Sequence, residues 1–433
     1  MKNKTVYVPL AVDLLHSVHI SILKKAKRYG KVIVGLMTDK AISEYKQLPI
    51  LDYNERFKIL SGVKFIDEIV EQKNWDYSEN IKKYKPDYFI HGDDWKKGIQ
   101  KNQRKKVIKT LKRYRGKLIE ISFSKNISSS EIKEKIINYV SNSNNRVSRL
   151  KRLMKAKNLV KILESHNSLT GLIIENLKIK KKKINVEFDG MWSSSLTDSA
   201  TKGLPDNSSL SFSARISSLN DMMDVTTKPL VFDADNGGQL EHLPYLVRSL
   251  ERSGVSAIIM EDKVGLKKNS LFKNQSNTKQ DKPEHFAKKI KIINNSRKNE
   301  DFMVIARIES FILGKGLKDA LKRAEIYSKA GANAILIHSK ETTPKEIFSF
   351  AREFRKSKNF IPLVSVPSTY SKTYEKDLIK NGFKLVIYAN QLLRAAYPAM
   401  LNTAKDILIN SRSFEAERKN KIIPISEIIN LVK

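Results

Sequence analysis

The stretch KPLVFDADNGGQLEHLPYLVRSLERSGVSAIIMED, residues 228–262, contains one complete copy of the unit that decides the fold. An apolar run ends in Asp233 and Asp235, a helical pattern follows, and a second apolar run ends in Glu261. Short apolar runs that alternate with helical patterns are typical of parallel α/β sheets. The stretch therefore predicts neighbouring parallel strands whose carboxyl ends carry acidic side chains.

The same unit recurs through the second part of the chain, and its recurrence predicts a (β/α)8 barrel. Eight apolar runs each end in polar residues and are followed by a helical pattern. Because such barrels carry their chemistry at the carboxyl ends of the strands, we expect the functional site there. The predicted strand ends are Ser165–Asn167, Gly190–Ser193, Phe232–Asp235, Met260–Asp262, Ile305–Glu309, Leu336–Ser339, Val364–Pro367 and Tyr388–Asn390.

A smaller α/β unit precedes the barrel, and its alternating strands and helices predict a doubly wound sheet. The polar stretch 141–145 is the best linker, and a basic amphipathic helix over about Val147–Leu163 is predicted to open the second part. The 433 residues are thus predicted to form two domains, 1–145 and 146–433. The predicted strands of the first domain are Thr5–Val12, Lys31–Met37 and Asp87–His91, and its predicted helices are Leu15–Tyr29 and Asn54–Leu60.

The composition excludes several classes of protein. Zero cysteines exclude disulfides, thiolate zinc sites and cysteine nucleophiles. No apolar run approaches the roughly 20 residues of a membrane span, and no signal-peptide pattern opens the chain, so we expect a cytoplasmic protein without membrane contact. The net charge of +35 is spread along the whole chain, which indicates composition bias and argues against a nucleic-acid partner. The dense basic run Lys96–Lys117 stays open to contact with a polyanion.

Three carboxylates on two consecutive strand ends, Asp233, Asp235 and Glu261, predict a metal site. Oxygen ligands of this kind suit Mg²⁺. A single aspartate at such a position is more often the N-cap of the following helix. Three together, with Arg307 and His338 on neighbouring strand ends, favour a functional site instead. Arg307 and His338 are suited to hold a phosphate or a carboxylate.

The residues that follow the second acidic strand end point to a family. Residues 261–270, EDKVGLKKNS, match an EDK-x5-NS signature, and the runs at 189–199, 233–237 and 388–390 agree with the same family pattern. Over about residues 146–410 the chain resembles the phosphoenolpyruvate mutase branch of the isocitrate lyase superfamily. The resemblance implies a Mg²⁺-dependent rearrangement of phosphoenolpyruvate into phosphonopyruvate, which forms a carbon–phosphorus bond.

The resemblance also implies roles for individual residues. Asp233 would bind Mg²⁺ directly, and Asp235 and Glu261 would hold it through water molecules. The polar segment 267–280 would form a lid that excludes water, and the protein would form homodimers that exchange a barrel helix, or homotetramers built from them. The implied substrate-binding residues are Trp192, Ser194, Ser195, Leu196 and Ser270, and the implied catalytic residues are Asp206, Lys267, Asn269, Arg307 and His338.

Close rivals can be separated by residue type. The lyases of the superfamily carry a cysteine base in the signature loop, and this chain has no cysteine. Phosphonopyruvate hydrolase shares the metal site, but Asn269 followed by Ser270 favours the mutase. Ser195 stands where some relatives have glycine, which matters if the position needs a positive φ, and Gln391 stands where many have histidine. A rival from another class is a basic nucleic-acid-binding protein on an inactive barrel, and the intact set of polar residues argues against it.

The first domain shows a second resemblance. Asp13–His19, DLLHSVH, resembles the HxGH motif of the cytidylyltransferase-like nucleotidyltransferases, in which histidines at a helix N-terminus stabilise a triphosphate. The resemblance covers about residues 4–140 and implies a CTP or other nucleotide site. The further matching elements are 54–56, 63–68, 92–95 and 127–132, and the implied nucleotide-binding residues are His16, His19, Asp93 and Ser128.

Three departures from this second family predict a degenerate site. Val18 stands in place of the motif's glycine, and Leu10 in place of another glycine that begins the family's usual GTFD run. Phe123–Asn126 replaces an Arg-Thr-x-Gly element whose arginine would pair with phosphate. The lost glycines would have let the backbone approach the nucleotide closely. We therefore expect a domain kept for nucleotide sensing, partner binding or assembly, with an active cytidylyltransferase as the alternative.

Overall fold

The chain folds into a five-stranded parallel sheet followed by a closed barrel of eight parallel strands. The computed structural model describes residues 4–96, 100–122, 143–181, 184–265, 267–270, 275, 278–419 and 422–431. Both sheets confirm the fold class predicted from the sequence. The boundary near residue 145 stays a prediction.

The first sheet has the strand order β3-β2-β1-β4-β5, in which every neighbouring pair is parallel. Strand β1 ends earlier than predicted, at Leu10, because Val12 has a φ of 42° that breaks the extended conformation. The strands are β1 Thr5–Leu10, β2 Lys31–Met37, β3 Glu68–Gln72, β4 Tyr88–Gly92 and β5 Lys117–Ile121. The helices are α1 Ser17–Lys27, α2 Asp39–Ser43, α3 Tyr53–Ser61, α4 Ser78–Tyr84 and α5 Lys101–Lys112, with a 3-10 turn at Asp93–Lys96.

The barrel closes in the order β10-β11-β14-β15-β16-β17-β6-β9. All eight predicted strand ends fall at the carboxyl ends of these strands, so the predicted repeat is confirmed. The barrel strands are β6 Val160–Glu164, β9 Gly190–Ser193, β10 Leu230–Asp233, β11 Ala257–Glu261, β14 Met303–Ile308, β15 Ala334–Ile337, β16 Leu363–Ser365 and β17 Phe383–Tyr388. Two small antiparallel pairs stand outside it: β7 Ile179–Lys181 with β8 Ile184–Val186, and β12 Lys263–Val264 with β13 Lys279–Gln280.

Helix α6, Ser143–Ala156, opens the barrel part of the chain and is shorter than predicted. The sequence predicted helix as far as Leu163, but Val160–Glu164 forms strand β6, which fills the gap between β17 and β9. Pairing with two neighbours here overrides the helical spacing of the apolar residues. The helices that follow are α7 Ser168–Asn176, α8 Ser195–Thr201, α9 Phe212–Asp224, α10 Leu243–Arg252, α11 Pro283–Ser296, α12 Gly316–Lys329, α13 Lys345–Phe354, α14 Glu375–Lys380, α15 Gln391–Asn410, α16 Phe414–Lys419 and α17 Ile425–Leu431.

Helix α6 packs against both domains. Its Leu150 and Leu153 join the apolar cluster inside the barrel, and Leu48 of the first domain belongs to the same cluster. Arg152 donates hydrogen bonds to the backbone oxygens of Ile50, at 2.8 Å, and Pro49, at 3.0 Å. The helix is therefore the main bridge between the sheet domain and the amino-terminal end of the barrel.

Helix α15 differs from the other long helices because none of its 20 residues is buried. Leu408 and Ile409 are 79% and 76% exposed, and Tyr397 and Met400 are also exposed. Large apolar side chains of α16 and α17 continue this surface. Neither α15 nor any other helix in the described ranges is long and apolar enough to cross a membrane.

Candidate active site

A cavity of about 570 Å³, counting the space at its mouth, opens at the carboxyl ends of the barrel strands. Most residues predicted for the barrel site line it, and Ser195 and Asp235 lie directly behind its wall. The predicted residues in the lining are Trp192, Ser194, Leu196, Asp206, Asp233, Glu261, Lys267, Asn269, Ser270, Arg307 and His338.

The acidic side of the cavity is organised around Lys267. Its ammonium group lies 2.6 Å from Asp235, 2.9 Å from Asp206 and 3.9 Å from Asp233. Strand register sets part of this arrangement, because Asp233 on β10 pairs with Ile259 on β11, two residues before Glu261. The carboxylates predicted as metal ligands are thus near neighbours, with one lysine among them.

Ser195 holds Asp233 in place. Its backbone N–H and its hydroxyl donate to Oδ2 of Asp233, at 3.4 and 2.8 Å, and its hydroxyl also contacts the ammonium of Lys267. Ser195 begins helix α8 and is not among the residues with positive φ. The serine at this position therefore fits the backbone without strain, and it adds a hydroxyl donor that glycine would lack.

The cationic side of the cavity is organised around Arg307. Its guanidinium donates to Glu309 at 2.5 Å, to the hydroxyl of Ser270 at 2.9 Å and to Nδ1 of His338 at 2.9 Å. Glu309 is fully buried and also accepts a hydrogen bond from Ser270 at 2.6 Å. Sequence analysis placed Glu309 on a strand end but gave it no role; the structure shows that it anchors Arg307.

The charges set the pKa values of the acids and the histidine. Burial would raise the pKa of Asp233, but Lys267, Arg215 and Arg307 outweigh it and bring the pKa to about 2. Burial raises the pKa of Glu261 to about 7, against the opposing charges of Arg307 and Lys263. Burial, together with the charge of Arg307, lowers the pKa of His338. Nδ1 of His338 lies 2.9 Å from the guanidinium of Arg307 and 3.1 Å from Oε1 of Glu309, so both residues hold the imidazole in place.

Arg215 and Asp198 form a buried pair that sequence analysis missed. Arg215 donates from Nε to Asp198 at 2.8 Å and from Nη1 to the backbone oxygen of Asp233 at 2.5 Å. Its guanidinium also lies over the ring of Phe232, 4.2 Å from the centroid. Arg215 comes from the middle of helix α9, where no motif distinguishes it from a surface arginine, so only the fold reveals that it positions Asp233.

The chemistry of the acidic side fits a hard divalent cation. Oδ1 of Asp206 and Oδ1 of Asp235 are buried without a hydrogen bond, although both are within ion-pair distance of Lys267. Within the described ranges, no three histidine, aspartate or glutamate side chains are already arranged to hold a metal ion. The ammonium of Lys267 supplies the positive charge that these oxygens require, because it lies among the carboxylates.

Only some of the residues predicted to bind a nucleotide in the first domain lie close together. The rings of His16 and His19 lie against each other at the start of α1, with centroids 4.0 Å apart and planes tilted by 42°, and burial lowers the pKa of His19 to about 4. Asp93 accepts a hydrogen bond from Ser122 at 2.8 Å. Ser128 and Phe123–Asn126 lie outside the described residues.

Arg56 lies buried at the carboxyl ends of the first two strands of the sheet. Its Nη1 donates to the backbone oxygens of Ala11, at 2.6 Å, and Met37, at 2.9 Å, and its Nη2 pairs with Asp39 at 2.7 Å. A buried guanidinium thus satisfies the backbone at this edge of the sheet.

Comparison with known proteins supports the description of both domains. Residues 150–408 match the family described as phosphoenolpyruvate phosphomutase, and residues 12–135 match the family described as cytidylyltransferase-like. Phosphoenolpyruvate phosphomutase of Tetrahymena pyriformis is 34% identical over 290 residues, which cover 67% of this chain and 92% of that protein.

Two solved structures are similar to the barrel. A phosphoenolpyruvate phosphomutase from Streptomyces platensis subsp. rosaceus superposes with a TM-score of 0.60 at 33% identity, covering 66% of this chain and 94% of that one. A phosphonopyruvate hydrolase in complex with oxalate and Mg²⁺ superposes with a TM-score of 0.58 at 30% identity, with the same coverage.

The buried pair of Arg307 and Glu309 leads to a first prediction. Replacing Glu309 with glutamine leaves Arg307 buried with less compensating charge, so the free energy of unfolding in urea is expected to fall by about 3 kcal/mol. The matched variant Glu353→Gln breaks an exposed pair with Lys356 and is expected to lose less than about 1 kcal/mol. Equal losses in the two variants would contradict the anchoring role of Glu309.

Proposed function

This chain belongs to the phosphoenolpyruvate phosphomutase family of isomerases, and we propose that it converts phosphoenolpyruvate into 3-phosphonopyruvate with Mg²⁺. In this reaction a phosphorus–oxygen bond breaks and a phosphorus–carbon bond forms, so substrate and product are isomers. Such a step would open a route to phosphonates. The observation that carries the proposal is one cavity with a cluster of carboxylates on one side and Arg307 with His338 on the other.

The acidic side would hold the metal. Asp233, Asp235 and Glu261 are the residues that fit Mg²⁺, and the hydrolase structure with Mg²⁺ and oxalate supports a divalent cation in this fold. When bound, the ion would neutralise negative charge on the carboxylate and oxygen of the pyruvyl group. Ser195 and Arg215 keep Asp233 oriented through its carboxylate and its backbone oxygen.

The cationic side would hold the migrating phosphoryl group. Arg307 and His338 would contact the phosphoryl oxygens, and their contacts with Glu309 hold them in place before substrate arrives. Phosphoryl transfer passes through a loose transition state, so fixed positive charge and alignment supply most of the catalysis.

Asp206 would stand beside the phosphoryl group during its migration. Asn269 donates to it at 3.1 Å and Lys267 pairs with it at 2.9 Å, so two residues of the signature segment position this carboxylate in the cavity. In this place Asp206 either accepts the phosphoryl group covalently or steers it by charge. Lys267 and Asn269 also cover the cavity, which keeps water from the reacting group.

Hydrolysis of phosphonopyruvate is the second candidate function. The similarity of the barrel to the hydrolase structure supports it. A hydrolase must admit water to the phosphoryl group. The contacts of Asn269 and Lys267 with Asp206 close that side of the cavity and favour the mutase.

We propose further that the first domain has lost nucleotidyl transfer. Leu10 and Val18, which stand where glycines would be needed, both pack into the apolar core of that domain. Their side chains therefore occupy space that close approach of a nucleotide to the backbone would require. CTP stays the nucleotide to test, because the domain is cytidylyltransferase-like.

The exposed apolar surface of α15 to α17 would be covered by a second copy of the chain. Tyr397, Met400, Leu408 and Ile409 are all exposed, and clusters of large apolar side chains on a surface often mark an interface between proteins. We propose a homodimer through this surface, with a homotetramer as a further step of the same assembly.

Phosphorus NMR tests the proposed reaction. Wild-type protein incubated with phosphonopyruvate and Mg²⁺ is expected to form phosphoenolpyruvate, whereas inorganic phosphate with pyruvate would identify a hydrolase. Asp206→Ala is expected to lower turnover on the order of 100-fold or more, because it removes a group that touches the reacting phosphoryl. Asp221→Ala, on the exposed face of α9, is the matched control and should keep wild-type turnover.

Release of pyrophosphate tests the first domain. Incubation of the full chain with CTP and aminoethylphosphonate, or with a sugar or polyol phosphate, is expected to yield no pyrophosphate above background. An active cytidylyltransferase added to the same mixture is the positive control. Pyrophosphate release by this chain, abolished in His16→Ala, would show instead that the domain is active.

Light scattering after size-exclusion chromatography tests the assembly. Wild-type protein is expected to have at least twice the chain mass of 49.6 kDa. Leu408→Asp is expected to shift the population toward monomer, because it places a charge in the apolar contact. Ile379→Asp, at an exposed apolar residue of α14, is the control and should leave the mass unchanged. A wild-type monomer would contradict the proposal.

A further inference from the structure

A second cavity lies between the two domains, at the end of the barrel opposite the active site. It encloses about 390 Å³, counting the solvent at its mouth. Arg146, Arg149 and Arg152 of α6 share one helix face because they are spaced by three residues. The rest of the wall comes from both domains: Pro49, Ile50, Asn145 and Thr227.

Among the residues that the structure describes, Arg146 and Arg149 donate only to backbone oxygens. Arg146 is buried and donates to the carbonyl oxygens of Met223, at 3.0 Å, and Thr226. Arg149 donates to the carbonyl oxygen of Thr227 at a long 3.5 Å. In the described part of the chain, neither guanidinium has a carboxylate within 4.0 Å.

Arg152 has only a share of one carboxylate. Its Nη2 lies 3.2 Å from Asp39, whose other oxygen is 2.7 Å from Arg56. The Nε atoms of Arg149 and Arg152 are both buried and have no hydrogen-bond partner. Asp39 therefore serves two arginines, and Arg149 and Arg152 each keep a buried N–H donor without a partner.

The nearest acidic side chains have other hydrogen-bond partners, although the charge of Glu175 still acts on Arg146 and Arg149. Glu175 accepts from the backbone and the hydroxyl of Thr227, at 3.1 and 2.7 Å. Glu187 pairs with Lys228 at 3.3 Å, and Asp189 pairs with Lys157. The described residues thus leave this group of arginines with an excess of positive charge.

Burying such charge without a counter-ion is unfavourable. Burial lowers the pKa of Arg146 to about 10 and also lowers the pKa of Arg149, which shows the strength of the desolvation. Buried cations in proteins are normally matched by a carboxylate or by a bound anion. Planar guanidinium groups present their N–H donors in the geometry that tetrahedral oxyanions accept.

We infer that this cavity binds a phosphate group, held by Arg149 and Arg152 between the two domains. Free phosphate and small phosphate monoesters share this chemistry. The bound group would accept from guanidinium N–H groups of Arg149 and Arg152 and supply the missing negative charge. Because the wall includes Ile50 of the first domain and Thr227 of the barrel, the ligand would also join the domains.

Calorimetric titration of the full chain with inorganic phosphate, at constant ionic strength set with chloride, tests the site. Saturable binding is expected, and Arg149→Gln is expected to weaken it at least 10-fold. Arg352→Gln, at an exposed arginine of α13, removes the same charge elsewhere and should change the dissociation constant less than 2-fold. An isotherm of Arg149→Gln identical to that of the wild type, or no saturable binding, would overturn the inference.

A second variant keeps the test decisive if Arg149→Gln does not fold. Asn145→Asp is isosteric and exposed, and it places a carboxylate at the rim of the cavity. It is expected to weaken phosphate binding at least 5-fold, while Asn295→Asp, on the exposed face of α11, leaves binding unchanged. Wild-type binding by Asn145→Asp would overturn the inference.

A parallel titration with glycerol 3-phosphate identifies the source of the ligand. Tighter binding than phosphate assigns a monoester, and equal or weaker binding assigns free phosphate.

Arg149→Gln is expected to turn over phosphonopyruvate like the wild type, since the two cavities lie at opposite ends of the barrel. Failure of this inference is therefore distinguishable from failure of the proposed reaction.

Discussion

Asp233, Asp235 and Glu261 bring three carboxylates into the interior of the protein, and buried carboxylates stay charged only where cations lie close to them. The rest of the active site follows from this constraint. Lys267 enters from the signature segment, Arg307 from β14 and Arg215 from α9, so three separate parts of the chain converge on the acidic strand ends. The elements around the cavity are therefore arranged so that cationic side chains offset the charge of the buried carboxylates.

The balance of positive and negative side chains differs between the two sides of the cavity, and this difference gives the two sides different chemistry. On one side carboxylates outnumber cations, which suits a metal ion. On the other side Glu309 lies beneath Arg307 and His338 and fixes both, so their outward donors are oriented before any substrate binds. A substrate with a carboxylate at one end and a phosphoryl group at the other matches both sides at once, with little reorganisation of the protein.

Much of this site could be predicted from the sequence, because the barrel strands repeat one sequence pattern and the functional residues of such barrels lie at the carboxyl ends of the strands. Three features each lie within a short stretch of sequence: the eight strand ends, the acidic residues on two neighbouring strands, and the signature segment. Arg215, Asp198 and the role of Glu309 could not be predicted, since their partners come from distant elements and no spacing marks them. The end of α6 was misplaced for a related reason: Val160–Glu164 becomes a strand only because two other strands flank it.

The contacts of α6 with both domains also bear on how such a two-domain chain could evolve or be divided. Arg152 bonds to Pro49 and Ile50, and its carboxylate partner Asp39 also belongs to the first domain. A gene rearrangement that moved the barrel into another protein would carry α6 with it but leave these partners behind. The transferred barrel would then carry this arginine without the partners that it has here. Separation of the two domains would therefore require a new partner for Arg152 or its exposure to water.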